Sequence, residues 1–479
     1  MTDLLDTSDA GPAAIRGSAF RVAGFIVGTL VGLTSFAILA RHLGVEDTGR
    51  YTVVVALVTV VGSLTDLGLT AIGTRELSTR TGSDRVHFAR NLLGLRLVLS
   101  IVAGIGMIGL VELARYDQVI AAGVSLGAVG LLLASWQSTL SAELMSELRF
   151  GRVTVIDLTR AVLGGVLVLL LVAAGAGLLP FLAITIPVSI IALALNAYLL
   201  RGSGTLVPAF RTADWRVLFA DALPYAVAAA VGAVYFQLAV IIVSLIAEPS
   251  EVGYFGVSAR VVQVLLIIPG LAVGAAFPIF ARAARDDRER LAYALARVFE
   301  VSLLVGVLVS LLLAVGAPIV IRLLGGPEFA GASPVLSIQA IGLAASFVGA
   351  GWSYGLLSLG RARDILKINL VALVLGGSAV AALASVKGAK GAALGASGAE
   401  VALAMLSGWA LARADHTLTP PMRIVPAVVL ATLLAIATVL IGLPVLLTCV
   451  LAAVVYLIVV VALRAVPPEI WQQFRRRST

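Results

Sequence analysis

Apolar stretches of roughly twenty residues recur along almost the whole chain, and each is long enough to cross a hydrocarbon layer of about 30 Å as a helix. They are apolar on every side rather than alternating with period two, which excludes spanning strands. The pattern places spans near residues 20–40, 51–73, 93–113, 118–138, 153–174, 178–200, 217–246, 253–280, 298–322, 333–357, 366–386, 389–412, 423–442 and 444–463. An all-α integral membrane protein of about fourteen transmembrane helices is the expectation. The polar connections reach about twenty residues at most, so no soluble domain of any size is expected.

Composition agrees with this pattern. Of 479 residues, 60% are hydrophobic and 13% charged, with a mean hydropathy of +1.08. A soluble domain is nearer half apolar and a quarter charged. The acidic segment at residues 1–14 precedes an apolar run without a small-residue cleavage site, so a cytoplasmic tail and a retained first span are expected. The net charge of +8 would suggest nucleic acid in a soluble protein. Here the arginines flank spans, as the positive-inside bias demands, and no nucleic-acid partner is expected. With the N-terminus inside, about 25 of the 34 Lys and Arg fall in cytoplasmic segments, so both termini are assigned to the cytoplasmic side of the cell membrane. The densest basic connections, 75–90 and 282–297, are expected as amphipathic helices on the inner leaflet.

Candidate chemistry is sparse. Cys449 is the one cysteine and sits in an apolar run, which excludes an internal disulfide. His42, His87 and His416 lie far apart in sequence, so no metal site and no cofactor are expected. The chain has no Walker A sequence, no H-E-x-x-H and no G-x-S-x-G, and its loops are too short to house a membrane glycosyltransferase or ligase. A secondary transporter fits better than an enzyme.

Two echoes suggest duplication. Asp47-Thr48-Gly49-Arg50-Tyr51 after the first span matches Glu251-Val252-Gly253-Tyr254-Phe255 after the seventh as acid-x-Gly-x-aromatic. Leu148-Arg149-Phe150-Gly151-Arg152 after the fourth matches Leu357-Ser358-Leu359-Gly360-Arg361 after the tenth, at nearly the same offset. Two six-helix lobes in parallel relation follow, at residues 1–205 and 206–412, with two further helices and a cytoplasmic tail at 413–479.

The informative residues are polar ones inside spans, where an ionised side chain costs roughly 2.5–3.5 kcal/mol and so faces a bundle interior or a wet cavity. Arg260 and Gln263 share one helix face, and a guanidinium there suits a phosphate through paired hydrogen bonds. Gln237, Gln339 and Asn369 are further cavity candidates. Asp66 is a candidate for the cavity and for proton coupling, or for capping a kink, and Glu400, among small residues, is a second coupling candidate. Asp157 and Arg160 are spaced to pair with each other, and Arg96, a turn inside its span, is expected to snorkel to the surface. Trp136, Tyr235, Phe236, Trp352 and Tyr354 offer rings for stacking on sugars, though packing is the commoner use of such residues.

Several motifs then carry a resemblance. They are Leu39-Ala40-Arg41-His42-Leu43-Gly44, Gly49-Arg50-Tyr51 and Asp66-Leu67-Gly68-Leu69, followed by Leu223-Pro224, Glu251-Val252-Gly253-Tyr254-Phe255, Ala259-Arg260 and Phe277-Pro278. In this order, over essentially the whole chain, they resemble the polysaccharide repeat-unit flippases, the Wzx type, of the multidrug/oligosaccharidyl-lipid/polysaccharide exporter superfamily. The resemblance implies two lobes around a central cavity, alternating access, and an oligosaccharide on a polyprenyl pyrophosphate as cargo. It also implies membrane lipids, a polysaccharide polymerase and glycosyltransferases as partners. A multidrug or cation antiporter of the same superfamily and a lipid II flippase are the alternatives. There is one departure: many relatives carry an Arg and an Asp shortly after the aromatic pair of span seven, whereas Tyr235-Phe236 is followed here by Gln237, Leu238 and Ala239, without the acid.

The charge bias yields a direct prediction. Cysteines introduced at Ser83 and Ser250 are expected to react with an impermeant thiol reagent from opposite sides of the membrane; labelling from one side rejects the orientation.

Overall fold

A computed structural model describes residues 10–66, 68–212, 215, 231–232, 234–235, 237–419 and 422–466. Much of the expected span at 217–246, with Leu223, Pro224 and Phe236, lies outside the described residues, as do Leu67 and both chain ends. The described elements are all helical. They are α1 (Ala10–Asp66), α2 (Leu69–Thr79), α3 (Gly82–Leu113), α4 (Gln118–Ser146), α5 (Phe150–Ala173), α6 (Leu178–Ala183) and α7 (Thr185–Leu199), then α8 (Gln237–Ile246) and α9 (Pro249–Leu265). There follow α10 (Ile267–Asp286), α11 (Arg288–Gly325), α12 (Ala332–Ser358), α13 (Ala362–Ala414), α14 (Val425–Ala437) and α15 (Val445–Ala462). Among the described residues, eleven helices are long and apolar enough to cross a membrane. Large apolar side chains such as Ile105, Leu375 and Leu446 are exposed along them, as lipid-facing positions should be. The chain divides into two compact units, Met1–Ile241 and Ile242–Thr479.

In the first unit the expected connection at 46–50 is helical, and the reversal is made by one residue. Gly44 has φ 75° and ψ −176° inside α1. Only glycine takes this conformation without strain. A straight helix would set Phe36 and Tyr51 roughly 22 Å apart at 1.5 Å per residue. Their ring centroids are 6.5 Å apart, so the two limbs fold back on each other. The first limb packs along α5, with Gly28 against Ala161 and Ser35 against Gly165. The second packs along α4, with Gly62 against Leu131.

The basic connection at 75–90 is also different from its expectation. It is the end of α2, a turn at Arg80 and Thr81, and the start of α3. α2 is amphipathic, burying Leu69, Ile72 and Leu77. The segment 282–297 is not a separate surface helix either: α10 runs into it and α11 leaves it, with Asp287 capping the backbone N–H of Arg290 at 2.9 Å.

Two expected spans break in mid-course, each four residues before a proline. α6 ends at Ala183 ahead of Pro187, and α9 ends at Leu265 ahead of Pro269. A proline ring collides with the carbonyl four residues earlier and offers it no N–H.

The second unit is built around α12. Its Ser337 Oγ donates to the Ala314 carbonyl of α11 (2.8 Å), and Ser397 Oγ of α13 donates to its Ile338 carbonyl (2.9 Å). α13 is a second hairpin in one element, reversed at Gly388 (φ 55°, ψ −136°). Its limbs approach so closely that a Cβ on Gly395 would lie 2.6 Å from the Val380 nitrogen. The Glu251 carboxylate closes the tip by accepting from the Ala389 N–H at 2.6 Å. α14 and α15 are tied to α11: Arg423 donates to Glu300 (3.1 Å) and the Tyr456 hydroxyl to the Leu304 carbonyl (3.0 Å).

The turns after α4 and α12 share one geometry. Arg149 N–H bonds the Leu144 carbonyl and Arg361 N–H the Leu356 carbonyl, both at 3.0 Å, around left-handed Leu148 (φ 54°) and Gly360 (φ 72°). Leu148 therefore stands where Gly360 stands, a register three residues away from the one the motif echo suggests. The αL residue, rather than the shared Gly-Arg, fixes the equivalence.

A mutant cycle tests the α13 tip. Gly388→Ala is expected to lose about 1–3 kcal/mol, because it forces a side chain into the left-handed region and against Glu251. Glu251→Ala should cost less in the Gly388→Ala background than alone, since the collision partner is then gone. Thermal unfolding in detergent reads both; additive losses refute the contact.

Candidate functional site

Asp66, Arg96 and Arg160 of the first unit lie in two polar clusters. Asp66 ends α1, and the left-handed Gly68 restarts the chain as α2. Thr70 Oγ1 donates to the Asp66 carboxylate at 2.5 Å. Arg96 of α3 pairs with the same carboxylate and donates to Thr70 Oγ1 (2.9 Å) and Thr139 Oγ1 (3.4 Å). Arg96 is 5% exposed and does not snorkel. The expectation failed because α3 starts at Gly82, which sets Arg96 about four turns inside the helix.

The second cluster links α5, α4 and α7. Arg160 donates to Gln137 Oε1 (3.1 Å), Gln137 to Ser141 Oγ (3.0 Å), and Ser141 to Asn196 Oδ1 (3.2 Å). Arg160 thus turns to Gln137, and the expected close pair with Asp157 is replaced; Asp157 stays exposed on the same helix. Gln137 and Ser141, four apart on one helix face, were the available signal for this network.

In the second unit Glu400 accepts from Ser346 Oγ at 2.6 Å, between the second limb of α13 and α12. Gln339, two turns earlier on α12, is 6% exposed, and its Oε1 is buried without a hydrogen-bond partner among the described residues. Arg260 and Gln263 lie half-buried on α9, Gln237 half-buried on α8, and Asn369 half-buried on the first limb of α13. Among the described residues no hydrogen bond joins Gln263, Gln339 and Asn369 to one another.

The aromatic candidates divide as well. Trp136 packs against the cluster of Leu140, Leu144 and Val153, Trp352 stacks on Phe299 at 5.6 Å, and Tyr354 meets Phe277 edge-on at 5.6 Å. These three rings serve packing.

Two buried carboxylates escaped the sequence reading. Glu143 accepts from Thr205 Oγ1 (2.6 Å), and Glu300 takes Arg297 and Arg423. Glu143 was missed because α4 continues to Ser146, past the expected end of that span. A mostly apolar cavity of about 850 Å³ lies between α11, α12, α14 and α15, lined by Val307, Leu311, Ile341, Val428 and Ile436 among others, with hydroxyls of serine and threonine, Ser337 and Thr448 among them, as its polar groups. Among the described residues no three His, Cys, Asp or Glu gather as metal ligands.

Comparison with known proteins places this geometry. A family model described as polysaccharide biosynthesis protein matches residues 38–334. A solved structure of the lipid II flippase MurJ in an inward closed conformation superposes with a TM-score of 0.75 at 13% identity, covering 93% of this chain and 98% of that one. An inward-facing multidrug resistance MATE family transporter gives 0.71 at 14% identity, over 84% of this chain and 98% of that one. A transporter of the same superfamily from Pyrococcus furiosus, whose binding pocket is described as reversed in polarity, gives 0.57 at 18% identity, over 85% and 96%. No curated protein sequence matches. These likenesses show the fold that flippases and multidrug transporters share, and the sequence match adds the lineage: the chain is a multi-pass, all-helical member of the polysaccharide biosynthesis protein family.

Proposed function

We propose that the chain moves an oligosaccharide carried on a polyprenyl pyrophosphate from the cytoplasmic to the outer leaflet of the cell membrane. The observation that carries this reading is a polysaccharide-biosynthesis sequence match, over residues 38–334, on a chain with a transporter fold. A sugar pyrophosphate cannot cross hydrocarbon unaided, because its polar groups would lose their water without replacement. The transporter supplies polar residues to the head group, and the prenyl tail stays among apolar surfaces. The cavity between α11, α12, α14 and α15 has the lining a hydrocarbon chain requires. Enzymes that build the lipid-linked unit supply this step, and a polymerase consumes its product.

Arg260 is the residue assigned to the pyrophosphate, with Gln263 beside it. It stands about three turns into α9. Its planar guanidinium forms two parallel bonds to a phosphate, which a lysine ammonium does not. Loss of a charge-assisted hydrogen bond costs roughly 1.5–3 kcal/mol, a ten- to hundredfold loss of affinity. Arg260→Gln is expected to insert normally and stop export, so that lipid-linked units accumulate on the cytoplasmic leaflet, and Arg260→Lys is expected to keep partial activity. Normal export by Arg260→Gln ends the assignment, and loss of the protein itself points to a structural ion pair.

The two coupling candidates have different partners. Asp66 is committed to Arg96 and Thr70, and its side chain is 35% exposed. Breaking a fully buried pair by removing one partner costs on the order of 3–5 kcal/mol, and less where one partner meets solvent. Asp66→Asn should therefore lower thermal stability, and Asp66→Asn combined with Arg96→Gln should recover part of it. Glu400, whose carboxylate accepts from the Ser346 hydroxyl between α12 and α13, is the other candidate to take up and release a proton. Glu400→Gln is expected to abolish the pH dependence of transport; an unchanged pH profile removes Glu400 from coupling.

A further inference from the structure

The segment leaving α7 runs back along α3 and is fastened at two places. At the first, Thr205 Oγ1 donates to the buried Glu143 carboxylate (2.6 Å), with Ser203 Oγ 2.5 Å from the same hydroxyl. At the second, the Ala209 N–H donates to the Arg90 carbonyl (2.8 Å) and Arg90 Nε to the Val207 carbonyl (2.9 Å). Asn91 then matches both backbone groups of Arg211: its Nδ2 donates to the carbonyl (3.3 Å) and its Oδ1 accepts from the N–H (3.0 Å). The same Oδ1 accepts from the Trp215 indole at 2.9 Å. Asn91 is 3% exposed. One turn on, Gly94 leaves room for the Ala209 carbonyl, which a Cβ there would overlap.

This fastening is specific and at the same time easily lifted. An asparagine presents a donor and an acceptor to one peptide unit; aspartate lacks the donor and leucine lacks both. Leu206 packs on the cluster of Leu140 and Leu144 and Trp215 on that of Leu92 and Leu95, but between them Val207 and Phe210 are 60% and 59% exposed, so little apolar surface is lost when residues 207–212 lift. The Arg90 carbonyl also lies within α3, where the helical ladder supplies it a second donor, so the helix keeps its own bonds when the segment leaves. The segment is the covalent path from α1–α7 to α9–α15. α3 carries its anchor five residues from Arg96, the centre of the Asp66 cluster.

We infer that residues 207–212 are a releasable strap, latched on α3 by Asn91, and that its release is a step of the transport cycle. The inference rests on the flipping activity proposed above. A displacement of α3 that disturbs the Asp66–Arg96 pair moves the latch with it, which transmits the state of the buried cluster to the chain entering the second unit.

A reversible cross-link tests this. The 2.8 Å bond between Ala209 and Arg90 sets their Cα atoms within about 5–6 Å, inside the disulfide range of roughly 4.4–6.8 Å. In a Cys449→Ser parent, Arg90→Cys with Ala209→Cys is reconstituted in vesicles with a fluorescent polyprenyl-pyrophosphoryl monosaccharide. Oxidation is expected to slow flipping at least tenfold relative to the reduced double variant, with recovery on reduction, while oxidation leaves each single-cysteine variant at its own reduced rate. A fully cross-linked protein that flips at the rate of its reduced form overturns the strap. A parent that flips nothing overturns the transport reading instead, and hydrogen exchange then decides the latch by itself. Asn91→Leu should speed exchange at residues 207–212 at least tenfold, leaving the rest of α3 unchanged; wild-type exchange in that variant refutes the latch.

Discussion

A peptide group without a hydrogen-bond partner in hydrocarbon costs several kcal/mol, and each reversal described here keeps that number small. Gly44 and Gly388 turn the chain at a single non-helical residue, so helix resumes at once on the far side. At the second of these, the Glu251 carboxylate takes the Ala389 N–H that the turn exposes. The turns after α4 and α12 satisfy their terminal carbonyls with the same crossed pattern, one with leucine in the left-handed position and the other with glycine. Where proline forces a break, at Pro187 and Pro269, the chain returns to helix within two residues.

The same constraint acts on side chains. Asp66 has Arg96 and Thr70, Glu300 has Arg297 and Arg423, Glu143 has Thr205, and Glu400 has Ser346. Polarity inside the membrane is in the first place a way of joining helices, and transport chemistry must be found among residues that do this as well. Asp66 joins α1 to α3 through a charge pair, and Glu400 joins α13 to α12 through the Ser346 hydroxyl.

Hydropathy alone exposes the spans, because a lipid-facing helix is apolar all round and needs no period to be seen. α5, α12 and α15 fall within a few residues of their expected bounds. Ends are less legible. Helices continue into the polar zone, so α3 begins well before its apolar run, and the depth of Arg96 was misjudged as a result. Pairing is the least legible of all. The spacing of Asp157 and Arg160 permits a bond, but spacing on one helix does not reveal that Gln137 of another waits closer. The motif around Glu251 was visible as a pattern, whereas its contact with Ala389 depends on a chain reversal more than a hundred residues later. The αL geometry of Leu148 has no local signature, since leucine rarely adopts it.

The hairpin of α13 bears on how the chain enters the membrane during synthesis. Its tip carries Lys387 and Lys390 beside Gly388, two of the three lysines in the protein. In the orientation proposed here that tip faces outward, so biogenesis must translocate two positive charges against the usual bias. A limb rich in alanine and glycine is a weak candidate to do so by itself. Two limbs packed on each other present a joint apolar surface, which suits the hairpin better than either limb alone to carry the lysines across. The carboxylate that clasps the tip lies more than a hundred residues earlier in the chain, so Glu251 is synthesised before the hairpin it holds.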